Sequence, residues 1–135
     1  PWSNYIDRQR GSLLGRYKTT VDGMFEEQSA PQTMGDRQGL RQLTLSNDGT
    51  QLQIATEGMV AFSLSHFDDA QFNYDVFYGG KHPYDLVRSP QVFAHFDFWQ
   101  RGIGNRSCGG DSCLPQYMTP TGAHAFTLRF TPTAK

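Results

Sequence analysis

Acidic, imidazole and thiol side chains are the groups in this sequence that could move a proton, attack a bond or hold a metal. A hydrolysis run by two carboxylates needs both in one site, on opposite sides of the scissile bond, with one of them held protonated. Asp68 and Asp69 are neighbours at a strand end, where successive side chains point to opposite faces. Asp97 falls within a strand and Asp111 in a loop, and no spacing brings any two of these acids together. Each reads as a solvated or capping carboxylate. His66, His82, His95 and His124 lack an i, i+4 partner and read as packed or surface histidines. Cys108 and Cys113 are the only cysteines, spaced C-x4-C. A zinc site needs about four ligands, and this set does not supply them. The spacing is compatible with a short-loop disulfide in an oxidising compartment and, preferred here, with two free loop thiols. No G-x-S-x-G elbow and no phosphate loop occurs. These residues show no catalytic or metal site and imply no cofactor.

What remains is binding. Trp2, Trp99 and the Tyr and Phe set offer flat faces of the kind that lie against the C–H face of a sugar ring. Large aromatics dominate cores and interfaces, so most of the 10 Phe are read as packing. Trp99 stands next to a glycine-rich loop and is the aromatic most open to a ligand.

The elements that must position Trp99 begin with Gln91–Trp99. Val92, Ala94, Phe96 and Phe98 alternate with Gln91, Phe93, His95, Asp97 and Trp99. Alternation with period two predicts a strand, and neither set is purely polar, so both faces are expected to be covered at least in part. The chain then turns at Gly102-Ile103-Gly104 into a polar loop reaching Cys113, a rigid strand feeding a loop that can present a binding surface. Further strands are expected at Gly11–Val21, across Leu40–Thr56, at Met59–His66 and at Ala123–Thr131. Within Leu40–Thr56, Leu43 and Leu45 should pair with Leu52 and Ile54 around Asn47-Asp48-Gly49, with Gly49 taking a positive φ. Val60, Phe62 and Leu64 should share one face. Phe126, Leu128 and Phe130 should point inward. Asp22-Gly23 marks a turn, Asp68 can cap a short helix toward Val76, and His82 before Pro83 should be extended. No sustained 3.6-residue period appears. The expectation is an all-β, antiparallel β-sandwich of about seven to nine short strands with one or two short helical turns.

Length and charge bound the rest. A chain of 135 residues fits one domain, 1–135, with a real core. With 12 Lys+Arg against 13 Asp+Glu there is no basic surplus to hold a phosphate backbone, so nucleic acid is not expected as a partner. No apolar run approaches the roughly 20 residues of a membrane span. The first residue is Pro1, which suggests a piece of something longer. Aromatics are abundant, and 14 Gly with 7 Pro in clusters read as short strands joined by many turns.

Several motifs resemble one family in order and spacing. Pro1-Trp2-Ser3-Asn4-Tyr5-Ile6-Asp7-Arg8 resembles the G-P-x-E-N-Y-x-D-R that opens this region of the last domain of large bacterial β-galactosidases of glycoside hydrolase family 2. Pro31-Gln32-Thr33-Met34-Gly35 with Arg41-Gln42-Leu43 resembles their P-Q-E-N-G…R-x-L. Ser63-Leu64-Ser65-His66, His82-Pro83-Tyr84-Asp85-Leu86, Asp97…Gly102-Ile103-Gly104 and Leu114-Pro115-Gln116-Tyr117 follow in the family's order, so the likeness covers nearly the whole chain. It implies a C-terminal fragment of a multidomain enzyme that cleaves terminal β-D-galactosides. The fragment would be the second half of a large sandwich of the galactose-mutarotase-like kind, and the catalytic glutamates would lie in a separate barrel. The partners implied are the remainder of that chain, carbohydrate at the rim of the site, and further copies in a homo-oligomer, in the cytoplasm or periplasm of a bacterium. The family lends its site one loop after G-I-G, in which a Trp of G-G-D-D-S-W packs on the outer sugar. Here that loop holds Asn105, Ser107 and Cys108, with Cys108 at the Trp position, and these three with Trp99 are the substrate-binding residues implied. Ser3, Thr33 and Met34 also depart from the commoner Glu, Glu and Asn. The readings that compete are a freestanding carbohydrate-binding module and a purely structural sandwich.

Overall fold

The computed structural model describes residues 4–28, 35–58, 60–72, 81–104 and 113–134. The first ladder starts where the apolar alternation is cleanest. β1 (Gln42–Ser46) and β2 (Thr50–Glu57) pair antiparallel, Leu43 opposite Ile54 and Leu45 opposite Leu52, as the alternation predicts. The reversal is made differently from expectation. Gly49 does not have a positive φ. Instead Asn47 Oδ1 accepts from the amides of Gly49 (3.1 Å) and Thr50 (2.9 Å) and from the Thr50 hydroxyl (2.9 Å). An Asn side chain that mimics a backbone turn does the work assigned to glycine.

β3 (Ala61–Ser65) pairs antiparallel with β4 (Phe93–Asp97), and Arg37 bridges to Phe62 on the other side of β3. β5 (Thr127–Ala134) pairs with β2, which gives a three-stranded sheet β1-β2-β5 beside the two-stranded β3-β4. Pro132 lies in β5, an edge strand, where a missing N–H is tolerated. The sheets meet through an edge-to-face contact between the rings of Phe96 and Phe130, 6.3 Å apart. The architecture is an all-β, antiparallel sandwich. The core gathers Ile6, Met24, Leu40, Ile54, Val60, Ala61, Leu64 and Phe72, with Ile54 only 1% exposed. Both faces of β3 are covered, since Ser63 is buried alongside Leu64.

Several expectations fail. Gly11–Val21 forms no strand, because alternation needs a neighbouring ladder and none lies beside it; Leu13 (81%) and Leu14 (74%) stand exposed instead. Phe126 and Phe130 do not point into a closed interior: Phe130 meets Phe96 edge to face yet stays 52% exposed, and Phe126 is 38% exposed. Five strands, fewer than expected, are found among the described residues, where Gly11–Val21 adds none. Among the described residues helix is confined to five short 3-10 turns, more numerous than expected, since Gly and Pro cut the chain into tight connections. One of them, Asp69–Gln71, is capped by Asp68, whose carboxylate accepts from the Ala70 amide at 2.9 Å. Its expected extension to Val76 lies outside the described residues. His82 is extended, and Asp22–Met24 turns as anticipated. Among the described residues no helix is long and apolar enough to cross a membrane.

Candidate functional site

The chain leaves β4 at Asp97 and reaches Gly104 through a short segment that two other segments hold in place. Gly102 donates its amide to the carbonyl of Tyr117 at 3.0 Å, which ties the strand's exit to the 3-10 turn Pro115–Tyr117. Asp7, whose side chain is 5% exposed, accepts from the Ile103 amide (3.3 Å) through Oδ1 and from the Gly104 amide (2.8 Å) through Oδ2. Arg8 ion-pairs with Asp7 at 3.1 Å and donates to the Gly104 carbonyl. The packing explains the glycines. A Cβ on Gly102 would lie 2.7 Å from Asp7 Cγ and 3.0 Å from Cys113 Sγ, and Gly104 has φ +75°. Residues far apart in sequence thus close on the point where the chain departs and the point where it returns.

The same N-terminal segment reaches a second cluster. The Asn4 amide donates to the Asp36 carbonyl (2.9 Å), and Asn4 Oδ1 accepts from the Gln38 amide (2.8 Å). Ile6 between them is buried. Asp36 is 3% exposed, its Oδ2 lies 2.6 Å from Gln38 Nε2, and its Oδ1 has no partner among the described residues. Burial, with the nearby Asp97 charge adding to it, pushes the Asp36 carboxyl up to about 7 against the opposing pull of Gln38 and Arg37. Arg37 is buried too; it donates to the carbonyls of Met24 (3.1 Å) and Gly35 and pairs with Glu26 at 3.5 Å. Burial lowers its pKa, while Glu26 and Asp36 work the other way. Tyr5 is raised by burial first, then by Asp36 and Glu26. Asp97 is raised by burial, and Asp69 adds to this while His95 opposes it.

Sequence spacing leaves the acids and histidines unpaired, and the fold pairs some of them. Asp69 Oδ2 lies 3.3 Å from His95 Nε2. The two line a small recess with Phe25, Phe72, Ser63 and Ser65 that is too small for a sugar ring. The fold also brings Asp97 near enough for its charge to act on the buried Asp36. Raised carboxyls mark functional sites and structural clusters alike, and the burial here fits the structural role. Among the described residues no group of three or more His, Cys, Asp or Glu could hold a metal.

Of the residues expected to touch substrate, Trp99 lies two positions beyond β4, half-buried, with its ring tilted against Phe98. Its Nε1 is buried without a partner among the described residues. Asn105, Ser107 and Cys108 lie outside the described residues, and so does the question of a bridge between Cys108 and Cys113. Asp7 and Arg8 enter the sequence reading only as motif letters. Nothing local signals that they grip a segment 96 residues away; their place in a motif of the right order is the one signal that could have found them.

Comparison with known proteins agrees with this reading of the motifs. The chain is 30% identical over 124 residues to a β-galactosidase of Aeromonas hydrophila subsp. hydrophila, covering 92% of this chain and 11% of that enzyme. It is 26% identical over 127 residues to a β-galactosidase of Streptococcus thermophilus (94% and 12%). It is 25% identical over 130 residues to one of Arthrobacter sp. strain B7 (96% and 13%). The chain therefore spans little more than a tenth of the length of these relatives. The family model of the β-galactosidase small chain matches residues 1–131, and the chain belongs to that family.

Proposed function

We propose that this chain is the non-catalytic C-terminal β-sandwich segment of a β-galactosidase that hydrolyses terminal β-D-galactosides. In this reading it lends the rim of the active site the stretch beyond Gly104 and makes quaternary contacts. The observation that carries the reading is the family match over residues 1–131 in a chain that spans only 11–13% of its β-galactosidase relatives. Hydrolysis requires two carboxylates across the glycosidic bond, and in this reading the remainder of the enzyme supplies them. Asn105, Ser107, Cys108 and Trp99 then bind the outer sugar and move no proton. Such contacts act mainly through ground-state binding, so they show in KM more than in kcat. Exposed apolar side chains at Leu13, Leu14, Tyr17, Phe126 and Phe130 are surface that the rest of the enzyme, or a second copy, would cover.

The test has two arms. The chain alone should not hydrolyse a nitrophenyl β-galactoside, and turnover by it that Asp97→Asn abolishes would overturn the reading. In the full-length enzyme Cys108→Ala should change the KM for lactose more than kcat. Unchanged KM and kcat for both lactose and an aryl galactoside would reduce the loop to a connector.

A further inference from the structure

Gly11–Val21, expected as a strand and found as none, is anchored at both ends and unpaired along its backbone between them. At one end it leaves the 3-10 turn Ile6–Gly11, whose Ile6 is buried. At the other it enters the turn Asp22–Met24, whose Met24 is buried. There the Gly23 amide donates to Thr20 Oγ1 (3.0 Å), and the Arg88 guanidinium donates to both carboxylate oxygens of Asp22 (3.0 and 2.9 Å). From Leu13 to Thr20 the chain runs without bend or turn, and every residue is exposed. Midway, Leu14 leans on Gly39, where a Cβ would lie 3.3 Å from Leu14 Cδ2. Tyr17 donates its hydroxyl to the Leu13 carbonyl (2.6 Å), a local contact that engages no amide. Among the described residues no backbone amide from Leu13 to Thr20 finds an acceptor. A straight, anchored run of unpaired amides is the template on which a second strand adds.

We propose that Leu13–Thr20 docks as an edge strand against a strand of the remainder of the enzyme, one that carries Asp or Glu beside Arg16 and Lys18. The proposal deepens the function proposed above and rests on it for the identity of the partner. The chain spans 11–13% of its relatives, so most of the polypeptide that could supply such a strand lies outside it. Once paired, Leu13, Gly15, Tyr17 and Thr19 share one face, and Leu14, Arg16, Lys18 and Thr20 the other. The second face then carries two positive charges, and neither Arg16 nor Lys18 has an ion-pair partner among the described residues. An opposite charge on the neighbouring strand stabilises such a pair, and a like charge directly opposite destabilises it. A second copy is therefore the poorer occupant, since two such segments paired antiparallel about Tyr17 set Arg16 of one opposite Lys18 of the other.

The test is amide hydrogen exchange over Leu13–Thr20 in the full-length enzyme and in this chain alone. In the full-length enzyme these amides should exchange about a hundredfold or more below the unstructured rate. In the chain alone, in a sample whose β2 amides are protected, they should stay within about tenfold of that rate. Fast exchange in the full-length enzyme overturns the proposal. So does protection in the chain alone, and protection that rises with its concentration names a second copy as the occupant instead. Arg16→Glu combined with Lys18→Glu should speed exchange of the segment in the full-length enzyme about tenfold or more, and Arg16→Gln with Lys18→Gln should do so less. Exchange unchanged by the charge reversal overturns the acidic partner. Kinetics of Cys108→Ala are measured alongside. If the segment is unprotected while Cys108→Ala moves the lactose KM, the docking falls and the rim reading stands. If the segment is protected while Cys108→Ala changes neither KM nor kcat, the rim reading falls and the docking stands.

Discussion

Replacing Asp36 by Asn should change how the stability of this chain depends on pH. In the folded protein the Asp36 carboxyl is held up to about 7 by burial, against an ordinary 3.8. Between those values the unfolded chain has lost the proton and the folded one keeps it, so stability falls as pH rises. The contribution is fully present below about 3.8 and is lost as pH passes through about 7. At about 1.36 kcal/mol per pH unit, the difference is worth roughly 4 kcal/mol. Water reaching the unpartnered Oδ1 would reduce the penalty on the charged form, so we expect about 2 to 4 kcal/mol. Asparagine has nearly the same shape and does not titrate, and its amide oxygen can keep the contact to Gln38. Urea unfolding from pH 4.5 to 8.5 should show the native chain weakening by this amount, with Asp36→Asn nearly flat. At pH 8 the variant should be the more stable, melting about 6 to 12 °C higher. Asp97, raised by the same burial, leaves the variant a smaller slope of the same sign. Asp22, held low by the Arg88 guanidinium, contributes stability that is lost only as pH falls, outside this range. Parallel curves for the two proteins between pH 5 and 8 would refute the argument.

Ile54→Ala empties the best-buried position of the three-stranded sheet and should cost about 2 to 4 kcal/mol by equilibrium denaturation. Asn47→Ala removes an acceptor that serves three donors and should cost about 1 to 2 kcal/mol, whereas Gly49→Ala, with open space around its Cβ position and no positive φ, should cost much less. The reverse ranking would restore glycine as the maker of that turn. Gly102→Ala forces a methyl against Asp7 and Cys113 and should destabilise by about 1 to 3 kcal/mol, with faster exchange at Ile103 and Gly104 on amide-exchange mass spectrometry. Arg88→Ala breaks an exposed pair with Asp22 and should leave the denaturation midpoint at pH 7 unchanged within error.

What the sequence determined by itself was local and periodic. Alternation of apolar and polar residues placed β1, β2, β3 and β4 within a few residues and put Leu43 and Leu45 opposite Ile54 and Leu52, because side-chain direction along a strand repeats every two residues. The ordered motifs likewise carried the family. The tertiary structure decided everything that depends on a neighbour distant in the chain. Gly11–Val21 alternates at Tyr17, Thr19 and Val21, yet forms no strand, since a ladder exists only where a second strand arrives to share its hydrogen bonds. Asp36 looks like any loop acid until burial beneath Asn4 and Gln38 raises its pKa. His95 finds Asp69 only when a strand and a capped turn fold together. Asp7 has the same neighbours in the chain whether or not Gly104 is near. Only the closing of the sandwich brings those residues, 97 positions apart, within a hydrogen bond, and no periodicity encodes a contact of that span.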